Sequence, residues 1–258
     1  MTGRVFLVGA GPGDPELLTV RATRLLEQAD VVVYDRLVSP AILALIPNGV
    51  LRIDVGKSPK HHPVPQDEIN ATLVTLANAG RDVVRLKGGD PLMFGRGGEE
   101  ALSLKAAGIP YEIVPGITAA QGTAASATVP LTHRGIASSV RYLTGHCRAG
   151  IDLDFDWTGL ADPDTTLVVY MGLANIREIS GELMAHGRAP RTPVLAVADA
   201  TRQTEKRLHS TLQDIAGDVD RAGLGSPILF IVGEVVTLAR QQDGERYGAQ
   251  IDHLVAAQ

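Results

Sequence analysis

The sequence has one cysteine, Cys147, among its 258 residues, and this scarcity already limits what the protein can be. A lone cysteine excludes an internal disulfide and a cysteine-based metal cluster, and it is typical of a reducing compartment such as the cytoplasm. Long hydrophobic runs are missing too, since no apolar stretch approaches the roughly 18–20 residues that span a membrane. The N-terminus has no cationic segment followed by an apolar one, so "RVFLVGAG" predicts a first β-strand rather than a signal peptide.

An excess of positive charge is also lacking. The chain has 24 Lys and Arg against 29 Asp and Glu, a formal net charge of −5, which argues against a nucleic-acid binder. An anionic small substrate is compatible with this balance if the basic residues are concentrated at one site. What the chain does have is 45% hydrophobic residues and 28 glycines, the composition of a soluble globular α/β protein.

Apolar, β-branched segments alternate with helical patterns through residues 1–116. The helical pattern "DPELLTVRATRLLEQA" follows the first strand, and similar patterns separate the later ones. The strand candidates are "RVFLVGAG", "DVVVYD", "VLRIDVG", "DVVRLKGGDP" and "PYEIVPG". Because the connections are short, this alternation predicts a largely parallel sheet that is covered on both faces.

The segment at residues 117–135 is rich in small residues and turn formers, and we interpret it as a linker. Residues 136–240 then contain four further strand candidates with helices among them: "SVRYLTGH", "TTLVVYMG", "TPVLAVADAT" and "SPILFIVGEVV". We therefore predict two α/β domains, 1–116 and 136–240, with mostly parallel sheets, although one continuous sheet is an alternative. Residues 241–258 are polar and are predicted to form a tail.

A glycine-rich turn follows the first strand, in "VGAGPGDPELLT". In a dinucleotide-binding fingerprint, glycines take the first, third and sixth positions, and an acidic residue ends the second strand. Gly9, Gly11 and Asp35 fit that pattern, but the sixth position is Asp14, which would repel a pyrophosphate and could instead cap a helix N-terminus. A Walker P-loop is excluded because no Gly-Lys-Ser/Thr ends the turn, and a tight turn without a ligand is the simplest alternative.

A second turn, "VVRLKGGDPLMFGRGGEE" at residues 83–100, contains five glycines directly after a strand. Open α/β sheets bind ligands at such turns, at the carboxyl ends of their parallel strands. Glycine permits close backbone approach, and Asp90 can accept hydrogen bonds from a hydroxyl or an ammonium group. Together with a third small-residue turn, "PGITAA" at residues 115–120, the pattern predicts a pocket for a polar ligand of nucleoside size.

These turns belong to a longer series of motifs: "VGAGPGDPELLT", "VVYDRLV", "VGK", "QDEIN", "VVRLKGGDPLMFGRGGEE", "VPGITAA", "PLTHRG" and "YMGL". Over residues 4–240 the series resembles the tetrapyrrole methylase family, and within it the uroporphyrinogen-III C-methyltransferases. The resemblance implies two αβα domains with S-adenosylmethionine bound in the cleft between them, no metal, and usually a homodimer. It implies methylation of uroporphyrinogen III at C2 and C7, giving precorrin-1 and then precorrin-2 for sirohaem, cobalamin or haem d1.

Three other functions compete with this interpretation. They are a later corrin-ring methylase, an NAD-dependent oxidoreductase built on the first turn, and a non-catalytic nucleotide sensor. The motifs "FGRGGEE" and "PLTHR" argue against the first of them. Because the first motif begins at Val5, we also expect a stand-alone enzyme with no dehydrogenase–chelatase module before it.

The resemblance also assigns roles by position. It makes Asp35 the proton acceptor and Lys57 the donor, and it places a catalytic arginine and its partner carboxylate at Arg96 and Glu99. The residues that it places at S-adenosylmethionine, or at the product S-adenosylhomocysteine, are Pro12, Gly88, Gly89, Asp90, Met93, Thr118, Ala119, Met171 and Ala200. One departure from the family pattern is "ADAT" at residues 198–201, where relatives have a glycine before the threonine.

The residue types suit the implied chemistry. A methyl group carried on a sulfonium needs mainly in-line placement, followed by a base that takes one proton. Asp35 and Glu99 can serve as that base, whereas an arginine, with a pKa above about 12, is better suited to orientation and charge stabilisation. Lys57 is better suited to binding a carboxylate. Because the substrate is a polycarboxylate, the resemblance places Arg36 and Arg134 against it, and arginine forks bind carboxylates well.

Overall fold

The computed structural model describes residues 2–56, 64–146 and 153–239. The chain divides into two compact units, one formed by Met1–Thr123 with Asp199–Glu205 and the other by Ala124–Ala198 with Lys206–Gln258. Within the described ranges, none of the helices is long and apolar enough to cross a membrane. The predicted tail at residues 241–258 lies outside the described residues.

The first unit contains a five-stranded sheet. Its strands are β1 Val5–Gly9, β2 Val31–Tyr34, β3 Leu51–Asp54, β4 Val83–Lys87 and β5 Tyr111–Val114. They lie in the order β3-β2-β4-β1-β5, and every neighbouring pair is parallel, which confirms the predicted sheet. All residues of β1 and β4 are buried, as expected for central strands of a parallel sheet with both faces covered.

Two hydrophobic cores lie on opposite faces of this sheet. The helices that cover it are α1 Val20–Gln28, α2 Pro40–Leu43, α3 Gln66–Asn78 and α4 Gly97–Ala106. Successive side chains of a strand point to opposite faces, so neighbours in β1 enter different cores. Val8 packs in one core with Leu26 of α1, whereas Leu7 packs in the other with Leu73 of α3 and Leu104 of α4.

The helix after the first turn begins later than its sequence pattern predicts. A short 3₁₀ helix at Pro15–Leu17 follows Asp14, and the chain is extended at Thr19 before α1 begins at Val20. Two capping residues cause this break, because Asp14 caps the 3₁₀ helix and Thr19 caps α1. The Thr19 hydroxyl accepts a hydrogen bond from the backbone N–H of Ala22 at 3.1 Å.

We expect Ser39→Ala to destabilise the first unit more than Thr19→Ala does. Ser39 is buried, and its hydroxyl both accepts from the backbone N–H of Ile42 at 3.3 Å and donates to the carbonyl of Gly13 at 2.6 Å. Loss of a cap alone costs about 1 kcal/mol, and an unsatisfied buried carbonyl adds about 1 kcal/mol or more. Urea unfolding of both variants measures the difference; equal losses would contradict the role of the Gly13 bond.

The predicted linker at residues 117–135 is partly helical. Helix α5 spans Ala119–Ala127, and the division between the two units falls inside it, after Thr123. Small side chains allow a close approach here, since a Cβ on Gly122 would lie 2.5 Å from Cγ of Pro12. The helix therefore packs against the first glycine-rich turn.

The second unit contains another five-stranded sheet. Its strands are β6 Ser139–Thr144, β7 Thr165–Tyr170, β8 Pro193–Ala198, β9 Lys206–Thr211 and β10 Ile228–Val232. They lie in the order β6-β7-β10-β8-β9, and the helices are α6 Trp157–Leu160, α7 Ile176–Ala185 and α8 Ile215–Ala222. The fully buried Phe230 belongs to a core that also contains Leu167 of β7, Leu183 of α7 and Ile215 of α8.

The expectation of a mostly parallel second sheet is wrong. Only β6 and β7 are parallel, whereas the other three neighbouring pairs are antiparallel. The connection between β8 and β9, residues 199–205, is too short for a parallel crossover and imposes an antiparallel pair. The sequence pattern also fails to predict β9, because "KRLHST" is largely polar, as edge strands often are.

Candidate active site

Three glycine-containing turns meet at the carboxyl ends of β1, β4 and β5. Gly11 and Gly89 exchange two backbone hydrogen bonds, with N–O distances of 3.1 Å and 2.8 Å. A Cβ on Gly9 would lie 2.5 Å from the backbone nitrogen of Gly116, and a Cβ on Gly116 would overlap the carbonyl oxygen of Gly89. The glycines are therefore required because the three backbones touch, and their contact creates one continuous surface of backbone atoms.

Asp90 links the second turn to the third through hydrogen bonds. Its Oδ1 accepts from the backbone N–H of Leu92 at 2.8 Å, and its Oδ2 accepts from that of Gly116 at 3.1 Å. The sequence predicts Asp90 as an acceptor for a ligand, but the observed partners are backbone groups of its own unit. Asp90 therefore sets the geometry of the turns, and a direct contact with the cofactor stays a prediction.

Five other residues predicted at the cofactor belong to the second and third turns or directly follow them in the first unit: Gly88, Gly89, Met93, Thr118 and Ala119. A Cβ on Gly89 would lie 3.7 Å from the backbone nitrogen of Ala119 and 4.0 Å from Cα of Thr118, so Gly89 lies in van der Waals range of the start of α5. Gly88 faces Leu37, whose Cβ would lie 2.6 Å from a Cβ added there. Met93 donates its backbone N–H to the carbonyl of Asp90 at 3.3 Å.

Asp14 confirms the capping interpretation of the first turn. Its Oδ1 accepts from the backbone N–H of Glu16 at 2.9 Å, at the start of the 3₁₀ helix. Its own N–H donates to Oγ1 of Thr201 at 3.2 Å. A helix cap at this position accounts for the missing third glycine of the dinucleotide fingerprint. The Asp14 carboxylate binds a backbone N–H of the protein itself.

The loop that carries Ala200 has a strained backbone and is held in place by hydrogen bonds. Asp199 and Thr201, on either side of it, have left-handed φ values of 51° and 66°, which are unfavourable for residues with a side chain. The Thr201 N–H donates to Glu205 at 2.6 Å, and Arg202 donates to the carbonyl of Leu37 at 2.6 Å. The predicted site residue Ala200 therefore lies in a loop whose conformation its neighbours impose, and sequence reasoning missed Arg202.

Backbone strain also marks the second turn. Phe94 and Arg96 have φ values of 53° and 60°, and Met171 in the second unit has 51°. Such strain persists only where the surrounding structure imposes it, and it is concentrated at functional sites. Met171 is 48% exposed, so its side chain is not part of the hydrophobic core.

Arg96 and Glu99 form the pair that the sequence predicts. Arg96 is the N-terminal cap residue of α4, and its Nε and Nη2 donate to the two Glu99 oxygens at 2.9 Å and 2.7 Å. The hydrogen bond to Glu99 is the main cause that raises the pKa of Arg96 above its ordinary value. This direction favours the cationic form of Arg96 and agrees with the orienting, charge-stabilising role that its residue type suggests.

Asp35 lies directly after β2 and contacts a buried ionic cluster. Its Oδ1 accepts from the backbone N–H of Leu37 at 3.0 Å, and its Oδ2 lies 3.4 Å from Nη2 of Arg85. Arg85 and Lys87 lie on β4, and both bind Glu100 of α4 at 3.0 Å. Sequence reasoning missed this cluster, although two cations in an otherwise apolar buried strand are a signal that could have indicated it.

Three predicted residues lie outside this arrangement. Lys57 is not among the described residues, so the structure does not place the predicted donor. Arg134 lies in the second unit and is exposed, and its carbonyl accepts from Nδ1 of His133 at 2.8 Å. Arg36 is exposed beside Asp35, and a Cβ on Gly56 would lie 2.6 Å from the backbone nitrogen of Arg36.

In the described ranges, no cluster of three or more His, Cys, Asp or Glu could hold a metal ion.

Comparisons with known proteins show the family to which the chain belongs. A family model for tetrapyrrole (corrin/porphyrin) methylases matches residues 4–216. The chain is 60% identical over 237 residues to a uroporphyrinogen-III C-methyltransferase of Paracoccus denitrificans (strain Pd 1222), covering 92% of this chain and 83% of that protein. It is 54% identical to a siroheme synthase of Stutzerimonas stutzeri (strain A1501), covering 92% of this chain but 50% of that protein, and so spans about half of it.

A solved structure is similar as well. The crystal structure of uroporphyrin-III C-methyl transferase from Thermus thermophilus complexed with S-adenyl homocysteine is 46% identical, with a TM-score of 0.78. The match covers 91% of this chain and 99% of that one. The fold and the joined turns define an α/β protein with a ligand site at the carboxyl edge of a parallel sheet. The chain belongs to the tetrapyrrole methylase family, as its motifs predict.

Proposed function

We propose that this protein transfers methyl groups from S-adenosylmethionine to C2 and C7 of uroporphyrinogen III, giving precorrin-1 and then precorrin-2. The observation that carries the proposal is the junction of Gly9, Gly89 and Gly116, together with the Arg96–Glu99 pair that the second turn carries. A relative with 46% identity was crystallised with S-adenyl homocysteine, which has the chemistry of the product of such a transfer.

The residues present fit a sulfonium nucleoside. Gly9, Gly89 and Gly116 carry no side chain, so the surface that the three turns form consists of backbone carbonyl and N–H groups. These groups can bind the hydroxyls, amine and adenine edge of a nucleoside, and Thr118 and Ala119 add small side chains. The one lysine of the second turn, Lys87, is buried and bound to Glu100 at 3.0 Å, so it is not available to a triphosphate, which agrees with a ligand that lacks phosphates.

The cofactor supplies an electrophilic methyl group, whose bond to sulfur breaks with its electron pair returning to sulfur as a pyrrole carbon forms the new C–C bond. Holding the two reactants in line can provide about 7–11 kcal/mol of the barrier, and this is the task of the turns and of the substrate anchors. The methylated macrocycle is then cationic at the ring, and loss of one proton from a bridging carbon restores a neutral conjugated system. Two such transfers consume two molecules of cofactor.

Two groups of residues serve the substrate in this proposal. Asp35 accepts the proton, because it is a carboxylate held in place at both oxygens and 24% exposed. Arg96, kept cationic by Glu99, orients a substrate carboxylate and stabilises negative charge, and Arg36 and Arg134 provide further bidentate anchors. We assign Lys57 to the same carboxylate-binding role.

We also propose a homodimer that acts in the cytoplasm. The homodimer follows from the resemblance of the motifs, and the compartment follows from the single cysteine. Size-exclusion chromatography with light scattering tests the oligomeric state: a mass of two chains supports the homodimer, and a mass of one chain contradicts it.

A transfer assay tests the reaction. Purified protein is incubated with S-adenosylmethionine that carries a radiolabelled methyl group and with enzymatically generated uroporphyrinogen III. We expect two labelled methyl groups per macrocycle. Transfer only to a later corrin intermediate would favour the competing methylase, and no transfer together with nicotinamide cofactor binding would favour the oxidoreductase.

A further inference from the structure

The buried ionic cluster behind Asp35 is the feature that the proposed chemistry does not yet use. It consists of Arg85, Lys87 and Glu100, whose side chains are 3%, 4% and 0% exposed, and Asp35 lies at its accessible end with 24% exposure. We call these four residues the ionic cluster. Its members contribute two positive and two negative formal charges, so Asp35 supplies the anion that balances the second buried cation.

The register of the sheet brings the cluster together. Arg85 of β4 lies opposite Val33 of β2, and Asp35 follows Val33 by two residues, so both side chains leave the same face of the sheet. Lys87 follows Arg85 by two residues and shares that face. Helix α4 covers the face and carries Glu100, which accepts from Arg85 Nε at 3.0 Å and lies 3.0 Å from Lys87 Nζ.

The guanidinium of Arg85 is fixed on three sides. Nε binds Glu100 at 3.0 Å, and Nη1 donates to the carbonyl of Leu86 at 3.1 Å and to that of Val33 at 3.5 Å. Nη2 is the end that reaches Oδ2 of Asp35, at 3.4 Å. Because the fork is planar and already anchored, it presents Nη2 to Asp35 in one orientation.

Lys87 is less suited to this task than Arg85. Burial is the main cause that lowers the pKa of Lys87, the charge of Arg85 adds to the lowering, and Glu100 and Asp35 oppose it. A buried ammonium is also a point charge without the geometry of a fork. Arg85 is therefore the constant cation behind Asp35.

Stability alone does not account for such a cluster. Replacing a buried ionic network by apolar residues of similar volume is often neutral or stabilising, because desolvation offsets the attraction. The cluster is instead arranged around one partly exposed carboxylate. One Asp35 oxygen accepts from a backbone N–H and the other lies 3.4 Å from a buried cation, while the side chain stays 24% exposed.

We propose that Arg85 is a positioning residue for proton transfer: it holds the Asp35 carboxylate in the orientation that accepts the proton, and Glu100 holds Arg85. The inference rests on the proposed role of Asp35. It assigns no contact with substrate to Arg85, Glu100 or Lys87.

Steady-state and single-turnover methyl transfer to uroporphyrinogen III test the inference with Arg85→Met, Arg85→Lys and Asp35→Asn. We expect Arg85→Met to lower kcat at least about tenfold without changing KM for S-adenosylmethionine, since a misplaced catalytic group can cost about 100-fold. Arg85→Lys should recover part of kcat. In the Asp35→Asn background, Arg85→Met should cause no further loss, because the group that it positions is already absent.

Two further variants separate positioning from folding. Arg188→Met removes an equally buried guanidinium, one that binds the carbonyls of Leu160 and Thr165 in the second unit, and it should leave kcat unchanged in the folded fraction. Glu100→Gln keeps the shape of its side chain but removes the charge that holds Arg85. If Arg85→Met does not fold, a decrease in kcat on Glu100→Gln that disappears in the Asp35→Asn background supports the inference, and an equal decrease in both backgrounds contradicts it.

The outcomes distinguish the inference from the function on which it rests. A wild-type protein that transfers no methyl group overturns both. An active Asp35→Asn variant overturns the proton-acceptor role and this inference, but leaves the transfer reaction standing. Equal losses from Arg85→Met with Asp35 and with Asn at that position overturn the inference alone, because they indicate a purely structural role.

Discussion

Arg96→Gly is expected to abolish most methyl transfer while leaving the fold intact. Arg96 has φ 60°, a conformation that glycine adopts without strain, so the change removes the guanidinium without disturbing the backbone. Because Arg96 orients a substrate carboxylate, its loss misplaces the reacting carbon, and such misplacement can cost about 100-fold in kcat. Glycine relieves the strain of the left-handed backbone conformation, and this gain offsets the loss of the exposed ion pair. The free energy of unfolding should therefore stay within about 1 kcal/mol of the wild-type value.

The matched control for this prediction is Arg21→Ala. Arg21 and Glu112 also form an exposed pair in the first unit, at 2.6 Å, but they lie at no predicted site. Turnover, S-adenosylhomocysteine affinity by calorimetry, and urea unfolding are measured for both variants. If Arg96→Gly loses cofactor affinity but keeps its rate per bound complex, the residue serves the cofactor and its assignment to the substrate is wrong.

Gly116→Ala is expected to weaken the binding of S-adenosylhomocysteine strongly. The added Cβ would overlap the carbonyl oxygen of Gly89 and lie 2.8 Å from Cα of Gly9, and backbone atoms cannot move aside as a flexible side chain can. Overpacking of this kind costs about 1–3 kcal/mol in stability. Separation of the turns should lower S-adenosylhomocysteine affinity by at least about tenfold, which corresponds to about 1.4 kcal/mol.

Gly181→Ala provides the comparison for that variant. A Cβ on Gly181, within α7, would meet no atom within 4 Å, so alanine there should stabilise the helix by up to about 1 kcal/mol. Its cofactor affinity should equal that of the wild-type protein. Unchanged affinity in Gly116→Ala, measured by titration calorimetry, would contradict the role given to the joined turns.

The parallel sheet of the first unit could be predicted because its strands are buried on both faces. Continuous apolar runs such as Val31–Tyr34, each followed by a helical pattern, have few other interpretations. The second sheet differs, because the direction in which its strands pair depends on the lengths of the connecting loops and not on the residue types in the strands. The polar strand β9 carries no apolar pattern, so the order of strands and the antiparallel pairing could not be inferred from residue types.

Parts of the candidate site could also be predicted from the sequence, whereas others depend on how the chain folds. The glycine turns are local in sequence and their motifs predict them, whereas the Arg96–Glu99 pair is predicted by the family resemblance. The contact between Asp35 and Arg85 depends on the pairing of β2 with β4, which a single sequence does not specify. Glu100 also appears ordinary at a helix start, and only the packing of α4 on the sheet shows that it is fully buried.

The position of the transferred methyl groups tests the central claim most directly. Uroporphyrinogen III is incubated with the protein and with S-adenosylmethionine that carries a ¹³C-labelled methyl group, and the product is analysed by NMR. The account predicts two labelled methyl groups, one bonded to C2 and one to C7. Label on any other ring position, or a macrocycle that stays unlabelled while cofactor is bound, would contradict it.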